Sequence, residues 1–278
     1  MKSNRRAVSS KLIKTRILLQ HSELRKYVPS TYRLTRGRLQ VMLEQYGMLY
    51  LKPDKGSLGI GVMRVEKRGR TFKYQYGVHS YTFPSFDAMF RSLQRRTGSR
   101  CYLIQKGIHL LKFEGRPFDF RVMVQRNPSG KWETTGMAAR VAHPHKVVTN
   151  GSQGGTIYPA EDLITPIAGA ERTVRLLQKM DRLARWTGAQ FRNTYPAMNE
   201  LGLDIAIDRK LVPWILEVNT RPDPCPFTKL EDKESIRKII SYAEGYGRKY
   251  NLVCSKAERA PIQETTGILK NAQTPQRL

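Results

Sequence analysis

An α+β fold in two lobes is predicted by three features of the sequence. Short strands punctuated by glycine fill residues 48–83 between stretches of helical periodicity. Two long strands follow near 118–125 and 132–142, joined by the turn Asn127-Pro128-Ser129-Gly130. A strand–turn–strand over 202–222 then sets Asp204, Asp208 and Glu217 among apolar residues, a costly placement unless something cationic meets the carboxylates.

The elements follow in order. Leu12, Ile13, Ile17 and Leu24 recur near helical spacing over 9–24 with Lys and Arg between them, so an amphipathic helix is expected, ended by Pro29. Leu39, Met42, Leu43 and Tyr46 predict a second helix, stopped by Gly47. Strands are expected over 48–52, 61–67, 71–76 and 79–83, a helix from Pro84 to about 96, and a strand over 101–105. After the two long strands comes a polar, glycine-rich loop over 149–156. Val174, Leu177 and Leu183 predict a helix over 167–187, and a last helix is expected over 231–250. The domain reading is a basic helical segment over 1–27, a small lobe over 28–107, a large lobe over 108–252, and a tail over 253–278 whose polar sequence without periodicity predicts disorder.

Composition narrows the function classes. A chain of 278 residues with 40% hydrophobic content can bury a substantial core. Cys101, Cys225 and Cys254 have neither metal-ligand spacing nor an even count, so neither a disulfide framework nor a zinc knuckle is expected, and a cytoplasmic, reducing location fits. No run reaches the roughly 20 apolar residues of a membrane span. The 49 Lys and Arg against 23 Asp and Glu give a net charge of +26, which attracts polyanions without naming one. Clusters lie in the first forty residues and at Arg91, Arg95, Arg96 and Arg100. No helix-turn-helix, zinc-finger or RNA-recognition signature accompanies them, so nucleic acid is not read as the main partner.

Four stretches carry chemistry. Lys52 ends an apolar strand and is followed by Pro53-Asp54-Lys55-Gly56-Ser57-Leu58-Gly59-Ile60-Gly61. Glycine lets backbone N–H groups approach phosphates, and a strand-anchored lysine adds a fixed charge. The order is neither a Walker loop nor a dinucleotide fingerprint. The stretch Tyr102-Leu103-Ile104-Gln105-Lys106-Gly107-Ile108 is an apolar strand entering a connection between lobes, where a flat base could lie. In Phe118-Asp119-Phe120-Arg121, Asp119 and Arg121 share a face, and Arg140 on the partner strand supplies a second guanidinium. Two arginines suit a phosphoryl group, although an Asp119–Arg121 or other surface ion pair is the plainer alternative. In the hairpin, Glu217 and Asn219 lie two apart on one face and Asp204 can reach that face from the paired strand. Three hard oxygen donors of this kind suit a magnesium ion that also keeps waters and phosphates.

In this order, the motifs resemble the ATP-grasp superfamily, and specifically its YheC/YheD-type endospore coat-associated branch. The matching stretches are Tyr50-Leu51-Lys52-Pro53 with its glycine loop, Leu103-Ile104-Gln105, Asp119-Phe120-Arg121, Asn150-Gly151 through Gly154-Gly155, Gly202-Leu203-Asp204, and Leu216-Glu217-Val218-Asn219-Thr220-Arg221-Pro222. The resemblance covers about residues 28–250 and implies ATP held between two α+β lobes, without the full Rossmann-like domain that precedes many related ligases.

By this resemblance, Lys52, Lys55, Gly56, Ser57 and Gly59 hold the phosphates. Gln105, Lys106, Gly107 and Ile108 frame adenine, and Asp119 lies near the ribose or phosphates. Arg121 and Arg140 face the reacting phosphoryl group. Asp204, Glu217 and Asn219 bind Mg2+, with Mn2+ as an alternative, while Asn150, Gly154, Gly155 and Arg221 line the substrate side. The implied activity is a carboxylate–amine or carboxylate–thiol ligase working through an acyl phosphate on an acidic small-molecule or polymeric substrate. The other readings are a spore-coat-associated structural protein that binds ATP without turnover, with coat or wall polymer as its partner, and a basic polyanion binder. A further nucleotide-contacting lysine is expected before Lys52, with Lys11 and Lys14 as loose candidates. Asp223-Pro224 departs from the Pro-Gly found at this point in related ligases.

Overall fold

A computed structural model describes residues 7–143, 155–254 and 257–260. The first sheet has six strands in the order β1-β6-β2-β3-β4-β5. These are β1 (Thr31–Arg33), β2 (Met48–Pro53), β3 (Met63–Arg68), β4 (Thr71–Tyr76), β5 (His79–Phe83) and β6 (Tyr102–Lys106). Helices α2 (Arg36–Tyr46) and α3 (Phe86–Thr97) cover one face, burying Leu39, Leu43, Met89 and Leu93 against Leu49, Leu51, Val65 and Ile104. The alternation of β2 follows directly: Leu49 and Leu51 enter that core, leaving Tyr50 and Lys52 on the opposite face.

The second sheet is ordered β12-β11-β8-β9-β10-β13, with β7 (Lys112–Phe113) paired to β8. Its long members are β8 (Arg116–Arg126) and β9 (Trp132–Val141), followed by β10 (Thr156–Pro159), β11 (Glu200–Ile207), β12 (Pro213–Asn219) and β13 (Glu258–Arg259). Phe118, Phe120 and Val122 from β8 and Leu201, Leu203 and Ile205 from β11 form one core with helix α5 (Ala170–Thr194). The α5 stripe is Leu176, Met180, Leu183, Ala184 and Phe191. Helix α1 (Lys11–Leu19) adds Ile17 and Leu18 to the same core. Part of the other sheet face is covered by α6 (Cys225–Thr228) and α7 (Glu234–Gly245).

Several elements differ from expectation for local reasons. The first helix stops at Leu19 because the His21 ring accepts from the backbone N–H groups of Glu23 and Leu24 at 3.2 and 3.3 Å, starting a separate 3-10 turn, Leu24–Tyr27. Ile13 is exposed, and Lys14 is buried in its place. The helix expected over 167–187 is two helices, α4 (Ala160–Ala168) and α5, broken at Gly169, whose φ of 79° and ψ of 159° suit glycine. Val174, counted in that periodicity, is 54% exposed. The last helix is shorter than 231–250, and within the expected tail Glu258–Arg259 pairs with β10.

Cys225 and Cys254 form a disulfide with Cα atoms 5.5 Å apart, across a separation of 29 residues. No disulfide framework was expected from three cysteines, yet one bridge forms because α6 and the chain after α7 meet on one side of the second sheet. One bridge leaves Cys101 free and exposed. Among the described residues, no helix is long and apolar enough to cross a membrane.

Candidate functional site

The exposed face of the first sheet turns toward the Asp119–Arg121 face of the second. Cross-strand register puts Gln105 opposite Tyr50, so Tyr50, Lys52 and Gln105 share the cleft face. Lys52 Nζ donates to Gln105 Oε1 at 2.6 Å, and Gln105 Nε2 donates to Thr31 Oγ1 at 3.2 Å and to the Leu216 carbonyl at 3.3 Å. Gln105 therefore links the two sheets while positioning the lysine. Burial lowers the Lys52 pKa, opposed by the negative charge of Glu217. Gly107 ends this wall: its N–H donates to the Met48 carbonyl at 3.0 Å, an approach that leaves no room for a Cβ.

The glycine loop is held from outside by α1. Ser10 Oγ and the Leu12 N–H both donate to Asp54 Oδ1 at 2.9 Å, and Lys11 Nζ donates to the Gly56 carbonyl at 2.7 Å. Gly56, Gly59 and Gly61 take φ values of 120°, 71° and 82°, which explains why glycine recurs there.

A buried ionic network forms the opposite wall. Asp119 faces Arg140 across β8 and β9 and accepts two hydrogen bonds from it, at 2.8 and 2.7 Å. Asp204 faces Arg121 across β11 and β8 and accepts from Arg121 Nε at 2.8 Å, with Arg140 Nη2 at 3.2 Å. Against the alternative of a surface ion pair, these are buried cross-strand pairs. Period two identified the shared face, and the strand register chose the partners. Burial would raise the Asp204 pKa, but Arg121 and Arg140 outweigh it and hold the group below its ordinary value. Burial would likewise lower the Arg140 pKa, and Asp119 and Asp204 reverse it upward.

In the hairpin, Asp204 lies directly opposite Glu217 and Gly202 opposite Asn219. A bulge shifts the register between Asp204 and Ile205, so Ile215 enters the core while Glu217 faces the cleft. Asp208 serves the turn instead, accepting from the N–H groups of Lys210 and Val212 and from Trp214 Nε1, each at 2.9 Å. Glu217 meets Lys11 at 3.5 Å and Lys14 at 3.7 Å. Burial lowers the Lys14 pKa against the pull of Glu217. Asn219 Nδ2 is buried without a hydrogen-bond partner. No group of three or more His, Cys, Asp or Glu is placed to hold a metal among the described residues. Two carboxylates and an amide on one face remain a donor set of the kind magnesium takes.

Two cavities meet here. One, of about 320 Å³, is lined by Tyr50, Lys52, Gln105, Lys106, Ile108 and Asp119. The other, of about 330 Å³, is lined by Gly56, Ser57, Gly59, Arg121, Asn219 and Arg221. Asp204 and Glu217 line both. Lys55 lines neither, and Gly155 is turned to the sheet edge, its carbonyl accepting from the Glu258 N–H at 3.2 Å. Asn150 and Gly154 lie outside the described residues. Sequence reasoning missed Tyr50, whose signal was its position two residues before Lys52, and His109 and Arg209, which line the first cavity without any pattern to announce them.

Known proteins agree with this architecture. The chain is 28% identical to the endospore coat-associated protein YheD of Bacillus subtilis over 205 residues, 71% of this chain and 45% of that protein. It is 27% identical to YheC of the same organism over 209 residues, 74% of this chain and 57% of that one. The chain thus spans about half the length of these relatives. D-alanyl-alanine synthetase A from Vibrio cholerae superposes with a TM-score of 0.50 at 12% identity, over 87% of this chain and 62% of that one. N5-carboxyaminoimidazole synthase from Aspergillus clavatus, in complex with ADP and 5-aminoimidazole ribonucleotide, gives 0.50 at 15% identity, over 91% and 55%. At these identities the likeness establishes the fold. The family description YheC/D like ATP-grasp matches residues 2–249, and with the two-lobed cleft in place, the chain belongs to the YheC/D-like ATP-grasp family.

Proposed function

We propose that this chain binds ATP between a small lobe over 28–107 and a large lobe over 108–252, and uses it to join a carboxylate to an amine or thiol. The observation that carries this reading is the meeting of Lys52, the Arg121–Asp204–Arg140–Asp119 network and the Glu217–Asn219 face at the junction of the two cavities. The first cavity takes the nucleoside, and the second takes the substrate.

The reaction needs a substrate carboxylate oxygen to bond the γ-phosphorus as the β–γ bridging bond breaks and ADP departs. An amine or thiol then attacks the acyl carbon, giving up its proton as inorganic phosphate leaves. Arg121 and Arg140 are held by carboxylates before any substrate arrives, so their donors are positioned without reorganisation. Lys52, anchored by Gln105, gives the phosphates a fixed charge. Asp204, Glu217 and Asn219 would hold Mg2+, or Mn2+, which would supply neutralising charge at the phosphates. Lys11 and Lys14, now on Glu217, are the further phosphate-contacting lysines. Attachment to the spore coat is a proposal drawn from the description of the two relatives.

Hydroxylamine trapping tests this reading. With ATP, Mg2+ and a panel of carboxylates, a hydroxamate and an equal amount of ADP are expected for at least one acid. ATP that binds and yields ADP at a rate indifferent to every acid and nucleophile would remove the ligase assignment.

A further inference from the structure

The second cavity differs in character from the rest of the molecule. Its charged lining has four cations, Lys11, Arg121, Arg140 and Arg221, against the acids Asp204, Glu217 and Asp223. That is near balance, in a chain whose net charge is +26. Lys11 is paired with Glu217, and Arg121 and Arg140 with Asp204. Arg221 has no ion pair among the described residues, and Asp223 stands two positions on. A polyacid entering here would find one available guanidinium and a carboxylate beside it.

Around these charges the lining is apolar. Leu58 and Ile60 project from the glycine loop at 50% and 64% exposure, and Val253, on the segment tied down by the Cys225–Cys254 bridge, is 81% exposed. All three line the same cavity. Leu58 also holds a φ of 61°, a left-handed conformation that glycine adopts freely and leucine resists. An apolar side chain kept in a strained backbone conformation at the mouth of a site points to a ligand contact.

We propose that the carboxylate substrate is a monoacid with an apolar body, its head drawn in by Arg221 and its body held between Leu58 and Ile60 on one side and Val253 on the other. This rests on the ligase reading above. Of the acidic small-molecule or polymeric substrates that the resemblance implies, it selects a small amphiphilic acid, recruited by the cavity. The surface charge is then independent of substrate choice.

Titration calorimetry on the full chain separates the two claims. The first titration is AMP-PNP with Mg2+; its failure to bind would remove the nucleotide site itself. Octanoate, 4-phenylbutyrate, glutarate and poly-L-glutamate are then titrated into the nucleotide complex. Octanoate and phenylbutyrate are expected to bind at least about tenfold more tightly than glutarate. Ile60→Asp and Val253→Asp, both at exposed positions that folding tolerates, are expected to erase that preference, and Arg221→Ala to weaken all the monoacids. Tighter binding of glutarate or poly-L-glutamate, no binding of either monoacid, or a preference that survives both aspartates would overturn the proposal while leaving the nucleotide site standing.

Discussion

Asp204 and Glu217 lie directly opposite each other on β11 and β12, yet each carboxylate is held by a different set of cations. Arg121 and Arg140 hold Asp204 from within the sheet, whereas Lys11 and Lys14 reach Glu217 from α1. The arginines are built into the wall. The lysines belong to an element outside the sheet and can leave Glu217 without breaking a strand.

Removing the Asp204 charge leaves two guanidinium groups short of a partner. The Arg140 side chain is 2% exposed, so Asp204→Asn is expected to cost about 3–5 kcal/mol, as broken buried pairs do. Asp87→Asn, which cuts the exposed Arg36–Asp87 pair, should change stability by under about 1 kcal/mol. Urea midpoints at unchanged slope measure both. Equal shifts would deny the buried network its role.

Two pH effects of opposite origin follow from the site. The depressed Asp204 pKa gives stability that is fully present above its ordinary value of 3.8 and lost as pH falls through the lower folded-state value. Lys52 is depressed by burial, so between its folded-state pKa and 10.5 the unfolded chain binds more protons, and stability rises with pH across that window. Phosphates beside Lys52 restore its charge, so ATP binding should take up protons in the same window. Calorimetry in buffers of different ionisation enthalpy reads that uptake directly, and proton release there would contradict the placement of the lysine.

Gly107 should not tolerate a side chain. An added Cβ would stand 2.8 Å from the Met48 carbonyl oxygen, a backbone atom that cannot step aside. Gly107→Ala is expected to destabilise by about 1–3 kcal/mol and to weaken ATP binding by displacing the end of β6. Gly37→Ala, in α2 with open space around it, should instead stabilise by about 0.5–1 kcal/mol. Thermal midpoints of the two variants should therefore move in opposite directions.

The Cys225–Cys254 bridge closes a loop of 29 residues, for which the chain-entropy estimate is about 3–4 kcal/mol. Reduction should lower the denaturation midpoint, and Cys225→Ser should do the same and then be insensitive to reductant. A midpoint unchanged by reductant would mean that the bridge contributes nothing to the folded state.

Part of this was legible in the sequence because period two assigns faces. Alternation put Asp119 with Arg121 and Glu217 with Asn219, and the register that sets Asp204 opposite Glu217 matches the reach expected from the paired strand. What alternation lacks is partner choice: Asp119 takes two hydrogen bonds from Arg140 on the neighbouring strand. Lys11 and Lys14 stayed loose candidates because basic residues on a basic helix carry no distinguishing pattern until its docking against β12 is known. The disulfide was hidden for a related reason, since only tertiary packing brings α6 to the chain beyond α7. The break at Gly169 was visible as a glycine, but continuous helical periodicity on both sides concealed it.

The central claim is that Glu217 serves magnesium nucleotide in the cleft, and binding of ATP with and without Mg2+ to the wild-type chain and to Glu217→Gln tests it most directly. The account predicts that Mg2+ tightens ATP binding to the wild type and that the variant loses about tenfold or more of that gain. Lys11 and Lys14, freed from Glu217, should hold metal-free ATP at least as well as before. A variant whose Mg2+ dependence matches the wild type would contradict the account.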